Sequence, residues 1–260
     1  MSVFQQTPVI NIMEKAARKA SKKIIRDFGE LEKLQVSSKS LGDFVTNTDI
    51  YAEKSIIETL SYHYPDYSFI TEESENIINK DNNNTFVIDP IDGTKNFIHG
   101  IPQFCISIAK LTLNEITDGI ILNPISNEFY WTSKGQGAWM NNQRLRVSNR
   151  KILSECLVGT GISQKNTNIL NNIKNLKEYP TTLRNMGSAA LDLAFVAAGK
   201  LDAFWENDLN LWDVAAGVLL VIEAGGTISE PEGNKWLLGS KSIMASNSLI
   251  HDIILGALRN

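Results

Sequence analysis

The stretch that most constrains this chain runs from residue 86 to residue 97 and reads Phe-Val-Ile-Asp-Pro-Ile-Asp-Gly-Thr-Lys-Asn-Phe. Three apolar residues lead into Asp89, a pattern that predicts a buried strand ending at that carboxylate. Because Pro90 has no N–H for a sheet ladder, we expect the strand to stop there. Gly93 can adopt the positive φ of a tight turn. The result is two carboxylates, Asp89 and Asp92, held three positions apart on a stiff loop.

Such a loop suits a divalent cation and a phosphate group. Aspartate oxygens are preferred ligands of Mg²⁺, and the amides of Gly93 and Thr94 can hold a phosphate. The alternative is that Asp92 and Gly93 form only a hairpin turn, which is a common use of this dipeptide. The local residues leave both interpretations open, so the rest of the chain has to decide between them.

Composition limits the classes of function. The 260 residues, 43% hydrophobic and 21% charged, are enough for one large α/β domain or two abutting ones. The net charge of −4 gives no indication of a nucleic-acid or anionic-membrane partner. The two cysteines, Cys105 and Cys156, stand in apolar segments and are expected to be free thiols. With no evident signal peptide and no apolar run long enough to span a bilayer, a cytoplasmic protein is predicted.

The pattern of predicted elements divides the chain into two halves. Residues 1–148 are expected to form an α+β half with an antiparallel meander and the metal-binding loop. Residues 149–260 are expected to form an α/β half with a mixed or parallel sheet. Residues 75–85 are rich in Asn, Asp and Lys and are predicted to be a surface loop. Helices are predicted over residues 169–176, over residues 189–198 with Ser188 as the N-cap, and over residues 214–224, opened by Asp213.

Acidic side chains stand at several predicted strand and helix ends. They are Asp49, Glu72, Glu73, Asp89, Asp92 and Asp213. Ligands of open α/β sheets collect at such ends, and converging carboxylates repel each other unless a cation joins them. An N-cap role for Asp49 is an equally good interpretation, and paired glutamates are ordinarily solvated. Convergence of these groups in space would favour a metal site.

Several of these segments resemble signatures of the inositol monophosphatase family. The matching segments are residues 45–49, 69–74 (FITEES), 89–97 (DPIDGTKNF), 187–190 (GSAA), 204–206 (FWE) and 211–217 (LWDVAAG). Motifs that agree in order along nearly the whole chain are far more specific than any one of them alone. The resemblance implies a layered αβαβα sandwich of the inositol monophosphatase and fructose-1,6-bisphosphatase type. It also implies a Mg²⁺-dependent, Li⁺-sensitive phosphatase that forms a homodimer.

The resemblance further implies a role for each site residue. The implied metal ligands, around two or three Mg²⁺ ions, are Glu72, Asp89, the Ile91 carbonyl, Asp92 and Asp213. Asp49 and Thr94 would orient and deprotonate the attacking water, and Glu73 would hold Glu72 or a further water in place. The implied substrate-binding residues are Asp92, Gly93, Thr94, Ser188, Ala189, Glu206 and Asp213. Among these, Glu206 would accept a hydrogen bond from a substrate hydroxyl.

The implied reaction is hydrolysis of myo-inositol 1-phosphate, or of a similar polyol or sugar monophosphate, by metal-activated water. Lys95 departs from the Thr or Ser usual at its position. Lysine there is more familiar in related branches that act on histidinol phosphate or 3′-phosphoadenosine 5′-phosphate, so those substrates stay as alternatives. An exposed lysine with no contact to substrate is an equally good interpretation. A non-catalytic regulatory or binding protein on the same fold is the alternative from a different class.

Overall fold

The computed structural model describes residues 6–31, 36–40, 43–162, 173–176 and 181–259. The helices are α1 Pro8–Phe28, α2 Asn47–His63, α3 Thr94–Ile98, α4 Ala189–Ala197, α5 Leu211–Glu223 and α6 His251–Arg259. The strands are β1 Val36–Ser40, β2 Asp43–Thr46, β3 Tyr67–Thr71, β4 Asp81–Asp92, β5 Cys105–Thr112, β6 Glu115–Asn123, β7 Glu128–Ser133, β8 Ala138–Met140, β9 Gln143–Arg144, β10 Leu157–Thr160, β11 Thr182–Arg184, β12 Ala203–Asn207, β13 Gly226–Ser229 and β14 Ser242–Asn247.

These elements stack in five layers. Helices α1 and α2 cover one face of a seven-stranded sheet with strand order β3-β4-β5-β6-β7-β8-β9. Helices α4 and α5 fill the space between that sheet and a five-stranded sheet of order β11-β10-β12-β14-β13. Helix α6 covers the outer face of the second sheet. The αβαβα sandwich implied by the sequence resemblance is therefore confirmed.

The outer helix α1 shows how local sequence builds a layer. Met13, Ala17, Ala20 and Ile24 recur at helical spacing and are all buried against the sheet side. The hydroxyl of Thr7 accepts a hydrogen bond from a backbone N–H of the first turn and caps the helix. One apolar face and one capped end are thus enough to place α1 on the sheet.

The central helices are apolar on nearly every side because sheets flank them on both faces. Glycines allow their close approach. A Cβ on Gly217 of α5 would lie 2.5 Å from the Cβ of Leu193 in α4, and one on Gly119 of β6 would lie 3.0 Å from the Cα of Ala216. Helix α5 therefore rests directly on α4 and on β6, which determines where its N-terminus lies.

The seven-stranded sheet contains the predicted meander. Strands β4 to β9 pair antiparallel in sequence order, and only β3 pairs parallel, with β4. In the second sheet β10 is parallel to β11 and β12, whereas β14 is antiparallel to β12 and β13. The mixed sheet is as expected. The boundary between residues 148 and 149 stays a prediction.

Strand β4 differs from the sequence prediction at both ends. It begins at Asp81, inside the predicted surface loop, because pairing with β3 and β5 recruits polar residues such as Asn84, which lies opposite Thr112. It also continues past Pro90 to Asp92, where a register irregularity accommodates a residue without an N–H. The predicted loop is therefore wrong over residues 81–85, although residues 75–80 lie outside any strand or helix, and the prediction of a strand ending at Asp89 was wrong.

Two further findings concern helices. The predicted helix over residues 169–176 lies partly outside the described residues, and the described part, 173–176, is helical. Among the described residues, no helix combines the length and the apolar character needed to cross a bilayer.

The contact between α4 and α5 leads to a stability prediction. The substitution Gly217→Ala improves helix propensity by about 0.8–1 kcal/mol, but it places a methyl group against Leu193. We therefore expect the free energy of unfolding to fall by roughly 1–3 kcal/mol. Urea unfolding measures the change. The control is Gly256→Ala in α6, where an added Cβ has no neighbour within 4 Å and should stabilise slightly. A stabilising Gly217→Ala would contradict the close approach.

Candidate metal centre

Strand register places the first pair of candidate ligands. In the parallel pair β3 and β4, Thr71 lies opposite Ile88, so the next residues, Glu72 and Asp89, emerge side by side at one sheet edge. Asp89 is 2% exposed, and its Oδ1 has no hydrogen-bond partner among the described residues. Burial raises the pKa of Asp89 well above its usual range, and the nearby Glu72 carboxyl raises it further.

Asp213 reaches the same edge from helix α5. Its helix begins at Leu211, and Asp213 occupies the third helical position, where its Oδ2 accepts a hydrogen bond of 2.6 Å from the N–H of Asn210. The prediction that Asp213 opens a helix beginning at Val214 was therefore wrong, because the helix begins three residues earlier, at Leu211. Ser107, which lies opposite Asp89 in the sheet, donates a 3.3 Å hydrogen bond to the carbonyl of Trp212. This bond joins the first turn of α5 to β5, the strand that pairs with β4 at Asp89.

Asp92 is held in place by neutral donors. Its Oδ2 accepts hydrogen bonds from the Ser188 hydroxyl at 2.6 Å and the Ala190 N–H at 2.8 Å, and the Cys105 thiol lies 3.9 Å away. Burial raises the pKa of Asp92 to about 6, while the bonds from Ser188, Ala190 and Ala189 oppose the rise. Ser188 also caps α4, as predicted. The capped start of α4 thus fixes the orientation of Asp92.

Asp89, Asp92 and Asp213 come together in one cluster. One carboxylate oxygen from each lies within 4.8 Å of the other two. None of the ion pairs among the described residues involves these three side chains. Buried carboxylates at this spacing repel each other strongly unless they are protonated or joined by a cation, and hard oxygen donors suit Mg²⁺. With Asp89 Oδ1 buried and unpartnered, the cluster could hold metal ions.

Asp49 combines a capping role with a position at the site. It is the third residue of α2, where its Oδ2 accepts the Thr46 N–H at 2.9 Å and also the Thr46 hydroxyl. Thr46, not Asp49, is the N-cap. The other oxygen, Oδ1, lies 3.3 Å from the Thr94 hydroxyl, which is also 3.0 Å from the Ile91 carbonyl. Burial raises the pKa of Asp49, and the hydrogen bonds from Thr46 oppose this.

The turn between β4 and α3 is closed by a glycine and an asparagine. Gly93 has φ +95°, and a Cβ there would lie 3.1 Å from the Gly187 carbonyl. The Asn96 amide donates to the Gln103 carbonyl at 2.6 Å and to the Met186 carbonyl at 2.8 Å. These contacts join the metal-binding loop to the turn that precedes Ser188 and α4. The sequence pattern placed Asn96 within the family motif but did not predict that its amide joins these two segments.

Glu53 is a second residue that sequence reasoning missed. It is 3% exposed on α2, and its Oε2 accepts a 2.8 Å hydrogen bond from the N–H of Glu73. This bond anchors the segment that carries Glu72 and Glu73, both of which are half-buried. An acidic residue directly after Ala52, on the buried side of an amphipathic helix, was the signal that could have found it.

Glu206 lies near the C-terminal end of β12, close enough to Asp92 for the charge of that carboxyl to act on it. A Cβ on Gly161 would fall only 1.8 Å from the Glu206 Cδ, so the glycine makes room for this side chain. Burial raises the pKa of Glu206 to about 8, and the charges of Asp92 and Asp192 add to the rise. The Glu206 carboxyl makes no hydrogen bond with any described residue, although the residue pairs with Ile243 of β14 in the sheet. Asp192, 1% exposed in α4, was not predicted from sequence.

Asp92 makes the metal-free protein sensitive to pH. Its pKa of about 6 lies above the ordinary 3.8, so the stabilising effect of its proton is present below about pH 4 and is lost as the pH rises through about 6. Asp92→Asn removes this titration. With a chelator present, we expect the variant to gain stability relative to wild type as the pH rises from about 5 to about 8 in urea unfolding experiments. A stability difference that does not change with pH would contradict the raised pKa.

Comparison with known proteins agrees with this geometry. The profile of the inositol monophosphatase family matches residues 5–260. An inositol-1-monophosphatase of Mesorhizobium japonicum is 42% identical over 98% of this chain and 97% of its own length. The Nus factor SuhB of Escherichia coli K12 is 39% identical over 97% and 96%. The crystal structure of extragenic suppressor protein suhB from Bartonella henselae superposes with a TM-score of 0.95 at 42% identity, covering 98% and 99%. The chain therefore belongs to the inositol monophosphatase family.

Proposed function

We propose that this protein hydrolyses a polyol or sugar monophosphate to the free alcohol and phosphate, with myo-inositol 1-phosphate as the preferred substrate. The observation that carries the proposal is the convergence of Asp89, Asp92 and Asp213 beside the pair formed by Asp49 and Thr94. Relatives that bear the name inositol-1-monophosphatase support the choice of substrate.

The proposed ligands of two or three Mg²⁺ ions are Glu72, Asp89, the Ile91 carbonyl, Asp92 and Asp213. When bound, the ions supply neutralisation of the phosphate dianion, a lower pKa for the attacking water and stabilisation of the leaving alkoxide. Asp89 would be the shared ligand, since it follows the strand position beside Glu72 and its carboxylate lies within 4.8 Å of those of Asp92 and Asp213. Glu73 supports Glu72 through its backbone bond to Glu53.

Asp49 and Thr94 form the proposed proton path. The Thr94 hydroxyl can give its proton to Asp49 Oδ1, 3.3 Å away, while accepting one from the attacking water. The raised pKa of Asp49 makes it a stronger base than an exposed aspartate. Hydrogen bonds to both Asp49 oxygens fix its orientation, so the direction of proton transfer is set before substrate arrives.

The substrate would lie between the loop and α4. The amides of Gly93 and Thr94 are proposed to bind phosphate oxygens, while Asp92, Asp213, Ser188 and Ala189 line the polyol side. Glu206 completes this pocket as an acceptor for a substrate hydroxyl. A carboxylate without a protein partner favours a ligand that carries a donor, which is the property of a polyol.

There are two alternatives to hydrolysis of a polyol phosphate. One is hydrolysis of another phosphate ester by the same catalytic residues, and the other is a role without catalysis. Lys95 is exposed on α3, where it either contacts a second anionic group, as in histidinol phosphate or 3′-phosphoadenosine 5′-phosphate hydrolysis, or contacts no substrate. A regulatory or binding role on this fold is the second candidate function, and relatives that bear the name Nus factor SuhB favour it. A homodimer, a cytoplasmic location and the absence of a nucleic-acid partner stay predictions.

Phosphate release from the three candidate substrates tests the proposal. With Mg²⁺ present, we expect the highest kcat/KM for myo-inositol 1-phosphate. Thr94→Val should lower kcat by roughly 10²-fold or more because the proton path is cut, while Thr94→Ser keeps the hydroxyl and much of the rate. A strong preference for the nucleotide would overturn the inositol assignment. No release from any substrate by a folded, Mg²⁺-binding protein would favour the regulatory role.

A second variant separates substrate recognition from chemistry. At about pH 9, where a carboxyl with a pKa of about 8 is charged, Glu206→Gln should reduce kcat/KM for myo-inositol 1-phosphate by roughly tenfold, since a hydrogen bond to a charged acceptor contributes about 1.5–3 kcal/mol. Hydrolysis of an aryl phosphate, which has no ring hydroxyl, should be nearly unchanged. Equal losses on both substrates would place Glu206 in the catalytic machinery, and no loss on either would remove it from the pocket.

A further inference from the structure

We propose that a cavity beside the C-terminal end of α4 binds a small anion that carries a phosphate or pyrophosphate group. The cavity has a volume of about 610 Å³ and lies between residues 146–155 and the turn at Gly199. This volume is within the usual range for small-molecule pockets. The site does not depend on the proposed catalytic function.

The charge of the cavity is opposite to that of the chain. Three basic residues, Arg146, Arg150 and Lys151, line it together with a single acidic one, Glu155, although the protein carries a net charge of −4. The side chains of Arg146 and Lys151 are exposed and make no ion pair or hydrogen bond with any residue in the described ranges. Their charge is therefore available to a ligand, and clustered cations in a concavity attract anions.

The third basic residue is held rigidly at the rim. The Nη1 of Arg150 donates to Asp202 Oδ1 at 3.0 Å and to the Gly199 carbonyl at 3.3 Å. Asp202 is fully buried and also accepts from the Leu157 N–H at 2.7 Å and from the Ser148 hydroxyl. Arg150 forms an ion pair with this buried carboxylate, which offsets its charge and positions the guanidinium, whose other N–H groups can still donate to a ligand. A preorganised guanidinium loses less entropy when a ligand binds.

The cavity wall is built by a second set of buried bonds. The Asn247 amide donates to the Ser148 hydroxyl at 2.7 Å and to the Arg150 carbonyl at 3.1 Å. Gly199 has φ +67°, and a Cβ there would lie 3.1 Å from the Ser148 N. The segment that carries the basic residues is therefore fixed from both sides and does not behave as a free loop.

The cavity is separate from the metal centre. Ser188 at the N-terminus of α4 bonds Asp92, whereas Gly199 follows the C-terminus of the same helix. Nine residues at about 1.5 Å each separate the two ends by roughly 14 Å. An anion in the cavity would leave the candidate catalytic site open to substrate.

A compact anion fits better than a long polyanion. The three cations line one open depression within a six-residue segment, and the acidic chain opposes a nucleic-acid strand at a distance. Guanidinium groups match the oxygens of a phosphate in a bidentate manner, and a lysine adds a point charge. Pyrophosphate carries enough negative charge to engage all three.

Calorimetric titration with inorganic pyrophosphate tests the site. The protein is kept metal-free with a chelator, because the carboxylates of the acidic cluster then repel this anion and leave the cavity as its binding site. We expect saturable one-site binding below millimolar concentrations that weakens with salt. The double variant Arg146→Ala and Lys151→Ala should weaken binding roughly tenfold or more. Arg150→Lys, which keeps the charge but loses the fork, should show a smaller loss. The matched control removes two exposed lysines elsewhere, Lys22→Ala and Lys235→Ala, and should bind like wild type.

Three results would overturn the proposal. They are an absence of saturable binding, unchanged binding in the Arg146 and Lys151 double variant, and an equal loss in the control variant. The first of these results, together with binding of a single-stranded RNA oligomer, would identify a nucleic-acid surface instead. Phosphate-release assays on the double variant should match wild type, so a failure of the proposed catalytic function would not be confused with a failure of this site.

Discussion

The mutual repulsion of buried carboxylates is the constraint on which the structure depends. Asp89, Asp92 and Asp213 place oxygens within 4.8 Å of each other, and burial raises the pKa of each. The fold holds them there with neutral donors, the Ser188 hydroxyl and backbone amides, and not with the ion pairs that would satisfy them permanently. Carboxylates that repel each other in this way are costly to the metal-free protein, and a bound divalent cation would relieve the repulsion.

The central helix layer makes this arrangement possible. Both α4 and α5 begin at the acidic cluster, and each supplies backbone donors or a carboxylate from its first turn. Their positions follow from packing that tolerates no extra methyl group at Gly217 or Gly119. The site therefore depends on contacts in the apolar core, and small changes in that core would move carboxylates relative to one another.

Sequence reasoning recovered those features that local chemistry dictates. The Gly93 turn, the Ser188 cap and the antiparallel meander need only the residues near them, and all three are present in the structure. Its errors arose where a partner overrides local preference. Strand β4 extends through Pro90 because β5 pairs beyond it, and Glu53 and Asn96 act on backbone groups distant in sequence. The free cations of the cavity near Gly199 likewise show only in three dimensions.

By itself the sequence determined which ligand types were available, their placement at strand and helix ends, and the family whose ordered motifs they match. These are properties of residue type and spacing, which short-range sterics and hydrogen bonding convert into local structure. Tertiary structure alone decided that Asp213 meets Asp89, that Asp49 bonds Thr94 and that Glu206 lies against Gly161. Such distances depend on strand register and helix packing between segments far apart in the chain. The residues near each position in the sequence do not determine these distances, because the contacts that stabilise them join segments far apart in the chain.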